Sequence, residues 1–236
     1  MLELLRAAPS SVDAVLAIPS ARAAQAVEQL ARSMGIRVES SDTASLDRLT
    51  GGGHHQGVAA RVRAFEYVPT EDVLAAGHPL LVALDGIMDP RNLGAIVRSA
   101  EVLGAGGILL PRDRSAPVTP AVVRAASGAS LHLPIARVVN LVRALARAKE
   151  LGYWVIGLDP LGPSGFQELP DLERAILVVG GEGKGTRPLV LGACDFRVRI
   201  PVRGRVTSLN ASVAAAIGMY ELVARLSKRD PEAIDS

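Results

Sequence analysis

Apolar residues along this chain recur in two rhythms, and the change between them falls near residue 65. Over residues 12–64 short segments alternate. VDAVLAIP (12–19) reads as a strand, SARAAQAVEQLARSMG (20–35) as a helix closed by Gly35, and IRVES (36–40) as a strand. TASLDRLTG (43–51) reads as a short helix and GVAARVRAF (57–65) as a strand whose apolar positions alternate. Met1–Ala8 look like the end of a helix already under way, which leads us to expect a short segment before it. Residues 65–79, FEYVPTEDVLAAGHP, lose periodicity and carry two prolines, which predicts a linker. The reading is therefore a first domain over 1–64, a linker over 65–79 and a second domain over 80–236.

Beyond the linker the rhythm becomes strand–helix–strand. PLLVALDG is a short apolar run, NLGAIVRSAEVLG a helix and GGILLP another apolar run. Further runs occur at LHLP, YWVIGLD, AILVVGG and FRVRIP, with helical stretches between most of them. Continuous apolar strands alternating with helices predict an α/β fold with a parallel sheet covered on both faces.

Composition narrows the class. At 236 residues and 49% hydrophobic, the chain can bury a sizeable core, and it has no apolar run long enough to span a bilayer. No basic stretch followed by an apolar segment and a cleavage site opens the chain, so no secretory signal is expected. Cys194 is the only cysteine, which excludes an intramolecular disulfide and favours a reducing, cytoplasmic setting. His54, His55, His78 and His132 show no ligand spacing with carboxylates, so no metal centre is expected. The net charge of +2 does not announce a nucleic-acid partner. All but three of the 26 basic residues are arginine, whose planar fork suits phosphates but also serves as an ordinary solvated surface.

Ligands in open α/β sheets sit beyond the carboxyl ends of strands. Three such places here carry unusual residues. In LDGIMDPRNLGAIVRSAE, Asp89-Pro90 makes a turn and Asn92 is placed to cap a helix. Its buried stripe is Leu93, Ile96, Val97, Ala100 and Leu103, while Gly94, Arg98 and Glu101 share another face. A glycine inside a helix costs about 1 kcal/mol relative to alanine, which is explained if something approaches closely beside Arg98. Otherwise Arg98 merely pairs with Glu101 one turn on.

The second place, AILVVGGEGKGTRPL, runs a strand into Gly180, Gly181, Gly183 and Gly185. Both nucleotide fingerprints fail there. The dinucleotide pattern requires glycine where Thr186 stands, and the P-loop requires glycine at Val178 and a hydroxyl at Gly185. Glu182 at the centre would repel a phosphate, so a ligand with hydroxyls or positive charge fits better. In the third, VTSLNASVAAAIGMYEL (206–222), Ser208 or Thr207 is placed to cap a helix starting near Leu209, leaving Asn210 over. Ala211, Ala214 or Ala215, and Gly218 form a small-residue face; Val213, Ile217 and Tyr220 supply bulk beside it.

Together these stretches, in this order, resemble the motifs of the SpoU branch of the SPOUT methyltransferases, with the likeness covering nearly the whole chain. It is closest to bacterial 23S rRNA guanosine-2′-O-methyltransferases. The N-terminal part resembles that group's small ribosomal-protein-like α/β domain, including His55-Gln56-Gly57 before a strand. The resemblance implies a parallel sheet whose C-terminal segment threads a trefoil knot, although general topology rules weigh against knots. It also implies S-adenosylmethionine as cofactor, held at Gly180, Ile200 and Leu209, and RNA bound by the first domain through His55, Gln56 and Gly57. Family members are homodimers, and the activity implied is 2′-O-ribose methylation of RNA. Arg98 belongs to the catalytic centre by the same resemblance, with Asn92, Glu182, Ser208 and Asn210 around it. A guanidinium holds its proton too firmly to act as a base, so Arg98 is expected to grip a substrate phosphate and polarise the 2′-oxygen. Competing readings are a transfer-RNA or resistance-type ribosomal-RNA methylase, a non-catalytic RNA-binding member of the fold, and a dinucleotide oxidoreductase.

Overall fold

The computed structural model describes residues 1–7, 9–183, 185–206 and 208–226. Thr207, one of the expected caps, lies outside the described residues. The chain divides into two compact units, Met1–Phe65 and Glu66–Ser236.

In the first unit, α1 (Leu2–Ala7) precedes β1 (Val12–Ala17), α2 (Ala24–Ser33), β2 (Arg37–Ser40), α3 (Thr43–Thr50) and β3 (Val58–Val62). β1 is central, parallel to β2 and antiparallel to β3. Alternation along β1 sends Val15 and Ala17 to the face covered by α2, where Val27 and Ala31 complete a small core. Leu16 faces the other way and packs with Leu46 of α3 and Ala59. Gly35 closes α2 in the left-handed region (φ 71°), and Ile36 N–H returns to Ala31 O at 2.9 Å.

The second unit holds α4 (Thr70–Ala75), β4 (Leu80–Asp85), α5 (Pro90–Val102), β5 (Ile108–Pro111), α6 (Pro120–Ala125) and β6 (Ile135–Val138). They are followed by α7 (Leu141–Glu150), β7 (Trp154–Leu158), β8 (Ala175–Gly180), α8 (Pro188–Leu191), β9 (Phe196–Val198) and α9 (Ala211–Leu226). Six strands form one parallel sheet in the order β6-β5-β4-β8-β7-β9. Every residue of β4 is buried, as helix-covered parallel strands require.

Two elements differ from the pattern read along the chain. Residues 65–79, where no periodicity is visible, contain α4, whose Val73 and Leu74 are 2% and 1% exposed in the core of the second unit. Six residues are too few to display a helical period, so only tertiary burial reveals the element. LHLP is not a strand. Ala129–Leu131 form a 3-10 turn, and pairing begins at Ile135, which lies opposite Ile108 of β5.

The strand order reverses between β4 and β8. From β4 the chain moves outward through β5 and β6, whereas β7 and β9 lie on the far side of β8. The two strands end level, with Asp85 opposite Gly180. Their following loops therefore leave the sheet side by side, at the place where open α/β sheets form a crevice.

Candidate active site

The loop after β8 is built by glycines at specific points. A methyl group on Gly181 would lie 2.0 Å from Gly86 O, so the two loops touch backbone to backbone. Gly183 and Gly185 take left-handed backbone (φ 81° and 62°), which turns the chain back so that Gly185 N–H reaches Gly181 O at 3.0 Å. An ion pair between exposed Arg187 and buried Asp85 locks the loop's far end: Arg187 donates to the Asp85 carboxylate through its backbone N–H and Nε, each at 2.8 Å. Asp85 is 1% exposed, so losing Arg187 would leave a buried carboxylate without its cation.

This frame brings three distant side chains into one ring of hydrogen bonds. Asn92 Nδ2 donates to Glu182 Oε1 at 2.8 Å. Asn210 Nδ2 donates to the same oxygen at 2.6 Å and to Asn92 Oδ1 at 3.0 Å. The orientation of Asn210 is dictated by its other end, because Oδ1 accepts from Ser212 N–H at 2.9 Å and a backbone N–H can only donate. Asn92, Glu182 and Asn210 come one from each of the three stretches picked out in the sequence.

The capping assignments change accordingly. Asp89, not Asn92, caps α5 by accepting from Arg91 N–H at 2.8 Å, with Pro90 in the first turn. That leaves the Asn92 side chain for Glu182. Helix α9 begins at Ala211 rather than near Leu209, and Asn210 itself is the cap, so Ser208 is not. Asn210 thus serves the helix with its oxygen and the site with its nitrogen. Asn210→Ala should cost about 1 kcal/mol of stability through the lost cap, and should lower turnover more than that loss explains. A thermal melt beside an activity assay separates the two; wild-type turnover would reduce Asn210 to a cap.

Beside the ring lies a cavity of about 380 Å³, lined by the ends of β7, β8 and β9 and by the segment entering α9. Gly180, Ile200 and Leu209 all line it, as do Glu182, Ser208 and Asn210. Its volume falls in the range of about 300–1,000 Å³ typical of small-ligand pockets. The small-residue face of α9 is core: Ala211, Ala215 and Gly218 are buried, and a methyl on Gly218 would lie 2.9 Å from Leu177 Cδ2 of β8. Val213 and Tyr220 are exposed.

Arg98 is not brought to this ring. It is exposed on α5, and its Nη1 donates to Ser127 Oγ at 3.1 Å. What approaches the helix at Gly94 is α6, since a methyl there would lie 2.4 Å from Ala125 Cβ.

In the first unit, His55-Gln56-Gly57 forms a tight turn. His55 Nδ1 accepts from Gly57 N–H at 3.0 Å, and its Nε2 lies 3.2 Å from Asp47 Oδ1. Gly57 has φ 82°, and a methyl there would strike Ala21 Cβ at 2.2 Å. These contacts hold the turn in shape, and Gln56 presents an exposed side chain.

One feature escapes the sequence pattern. After β5, Arg112, Asp113 and Arg114 are exposed on a turn whose next residues, Ser115 and Ala116, are buried. Ala116 N–H donates to Ile87 O at 2.8 Å, tying this turn to the loop after β4, and Arg114 sits in the left-handed region (φ 57°). The run PRDRS directly after an apolar strand is the signal that could have found it.

A parallel sheet with a polar ring at its central crevice and a ligand-sized cavity beside it, together with a separate small α/β unit, defines the class as α/β with a candidate site at the sheet's switch point. Residues 79–220 match the SpoU rRNA methylase family, and the chain belongs to that family of RNA methyltransferases. Residues 1–68 match the family described as RNA 2′-O ribose methyltransferase substrate binding. The chain is 42% identical over 213 residues to YacO of Bacillus subtilis, which is placed in the TrmH family of tRNA/rRNA methyltransferases; the match covers 88% of this chain and 84% of YacO. A tRNA/rRNA methyltransferase of Mycobacterium avium is 42% identical over 228 residues, covering 94% and 74%. Among solved structures, the AdoMet-bound rRNA methyltransferase of Sinorhizobium meliloti superposes with a TM-score of 0.80 at 26% identity, covering 96% of this chain and 85% of that one. AviRb of Streptomyces viridochromogenes, in complex with AdoMet, gives 0.79 at 26% identity, covering 94% and 87%.

Proposed function

We propose that this protein transfers a methyl group from S-adenosylmethionine to a ribose 2′-hydroxyl of RNA, at a guanosine of 23S ribosomal RNA. The observation that carries the reading is the Asn92–Glu182–Asn210 ring at the rim of the cavity. It joins all three candidate motifs in one place, and a decayed, purely RNA-binding member would have no use for it.

The cavity fits the cofactor by the chemistry of its walls. Val179, Ile200 and Leu209 offer apolar surface, and the glycine loop offers backbone polar groups at close approach. When bound, S-adenosylmethionine supplies an electrophilic methyl on a sulfonium centre. The chain's own part is to hold the ribose in line with that methyl, since near-attack geometry accounts for much of the acceleration available to such a transfer. Glu182 and Ser208 orient ribose hydroxyls, while Asn92 and Asn210 hold Glu182 in position. Arg98 grips a substrate phosphate and polarises the 2′-oxygen, whose proton leaves to that phosphate or to a water.

The same reading includes three wider features. The chain after β8 threads the loop at residues 159–165; supporting this, Arg199 N–H donates to Ser164 O at 2.9 Å and Arg199 Nη1 to Gly162 O at 2.6 Å. The protein works as a homodimer, which would cover exposed Val213 and Tyr220. Its setting is cytoplasmic, where ribosomal RNA is found.

RNA is held by the first unit through the His55-Gln56-Gly57 turn, and by Arg112 and Arg114 on the turn after β5. Counterion release gives each lost phosphate contact on single-stranded RNA a change of about 0.7 in the slope of log affinity against log salt. Replacing both arginines by alanine should therefore flatten that slope by about 1.4. An unchanged slope would remove the turn from the RNA surface.

The decisive experiment incubates the protein with labelled S-adenosylmethionine and total bacterial RNA, then maps the modified nucleotide. Label on a 23S guanosine 2′-oxygen is expected. Label in transfer RNA would redirect the specificity, and no transfer would favour the non-catalytic reading.

A further inference from the structure

Two local irregularities stand on either side of Arg98, and neither is used by the site described above. Gly94 interrupts the interior of α5, and Ser127 holds a positive φ of 52° directly before Gly128 at 86°. The first is explained by packing. A methyl at position 94 would lie 2.9 Å from Val122 O and 3.0 Å from Ala126 N, so only glycine lets α6 seat on α5 this closely. That seating carries the turn after α6 to the surface of α5 one helical turn beyond Gly94, which is where Arg98 stands.

The turn is rigidly built. Ser127 N–H donates to Arg124 O at 3.0 Å, Gly128 N–H to Val123 O at 3.1 Å, and Ala126 and Ala129 are buried beneath it. Within it, Ser127 has a conformation that glycine adopts freely and serine does not. Backbone strain of this kind persists where the surrounding structure holds it, and it clusters at functional sites. Among the described residues the Ser127 side chain makes one hydrogen bond, in which its Oγ accepts from Arg98 Nη1 at 3.1 Å. We propose that Ser127 is a positioning residue, fixing the rotamer of an otherwise solvent-swept Arg98 so that its remaining donors face the substrate. This rests on the reading that Arg98 acts on the RNA.

The test uses the full chain with Ser127→Gly and Ser127→Asn. Glycine relieves the strain and removes the acceptor, so Ser127→Gly should melt at or above wild type while kcat falls about fivefold, the worth of one hydrogen bond of about 1 kcal/mol. The affinity for S-adenosylmethionine should stay unchanged. Asparagine tolerates left-handed backbone and keeps an acceptor, so Ser127→Asn should recover most of kcat. Nitrogen relaxation at Arg98 Nε reads the ordering without turnover, and its order should fall in Ser127→Gly only. Wild-type kcat and relaxation in Ser127→Gly, or equal losses in both variants, would overturn the proposal. Loss of Arg98 order without any methyl transfer by wild type would instead overturn the functional reading and leave the positioning intact.

Discussion

Arg98→Ala is expected to reduce methyl transfer to RNA by about 10²–10³-fold, the effect of removing one preorganised charge-stabilising donor from a reaction centre. Cofactor affinity measured by calorimetry should stay nearly intact. The separation follows from where the side chain stands. Arg98 does not line the cavity, so its loss leaves that pocket's walls unchanged. It is exposed, with one hydrogen bond to Ser127, so truncation should change stability by no more than about 0.5 kcal/mol, as for other surface substitutions. A parallel fall in cofactor affinity would show that Arg98 supports the pocket rather than the substrate. Unchanged turnover would remove it from the reaction altogether.

Gly180→Ala should have the opposite signature, loss of cofactor binding together with loss of stability. The added methyl would lie 2.1 Å from Thr186 N and 2.3 Å from the Gly185 carbonyl carbon. Both are backbone atoms, so no rotamer change relieves the clash. The loop must move, and with it the Gly185–Gly181 hydrogen bond and the lock between Arg187 and Asp85. Overpacking of this kind costs about 1–3 kcal/mol. Cofactor affinity should fall more than about tenfold if displacing the loop costs binding at least about 1.4 kcal/mol. Gly183→Ala is the control. Nothing lies within 4 Å of a methyl there, so it carries only left-handed strain of about 1–2 kcal/mol and leaves the pocket wall in place. Calorimetry and thermal melts on both variants give the answer; wild-type affinity in Gly180→Ala would exclude the loop from cofactor binding.

Much of this architecture is legible as pattern. Strands β4, β5, β7, β8 and β9 announce themselves as apolar runs, and the alternation with helices identifies a covered parallel sheet. Elements shorter than two helical turns are not legible. Helix α4 has no period to read, and its Val73 and Leu74 are recognisable as core only once the strands beside them exist. The capping residues differ from expectation for a related reason. Several polar residues precede α5 and α9, and local preference cannot choose among them. The choice falls to Asp89 and Asn210, which frees Asn92 for Glu182 and gives Asn210 two roles.

Sequence alone marked the candidate site residues, because unusual glycines, spare amides and a carboxylate inside a glycine loop are all local features. It determined the class of fold through hydrophobic period, and the family through the order of three motifs. Only the tertiary structure decided which of those residues meet. Asn92, Glu182 and Asn210 converge because β4 pairs with β8 in a register that ends Asp85 and Gly180 level, and because α9 packs back on β8. Strand pairing and helix seating are non-local, so period along the chain cannot encode the partner. By the same physics Arg98 meets Ser127, a neighbour delivered by the packing of α6 against Gly94.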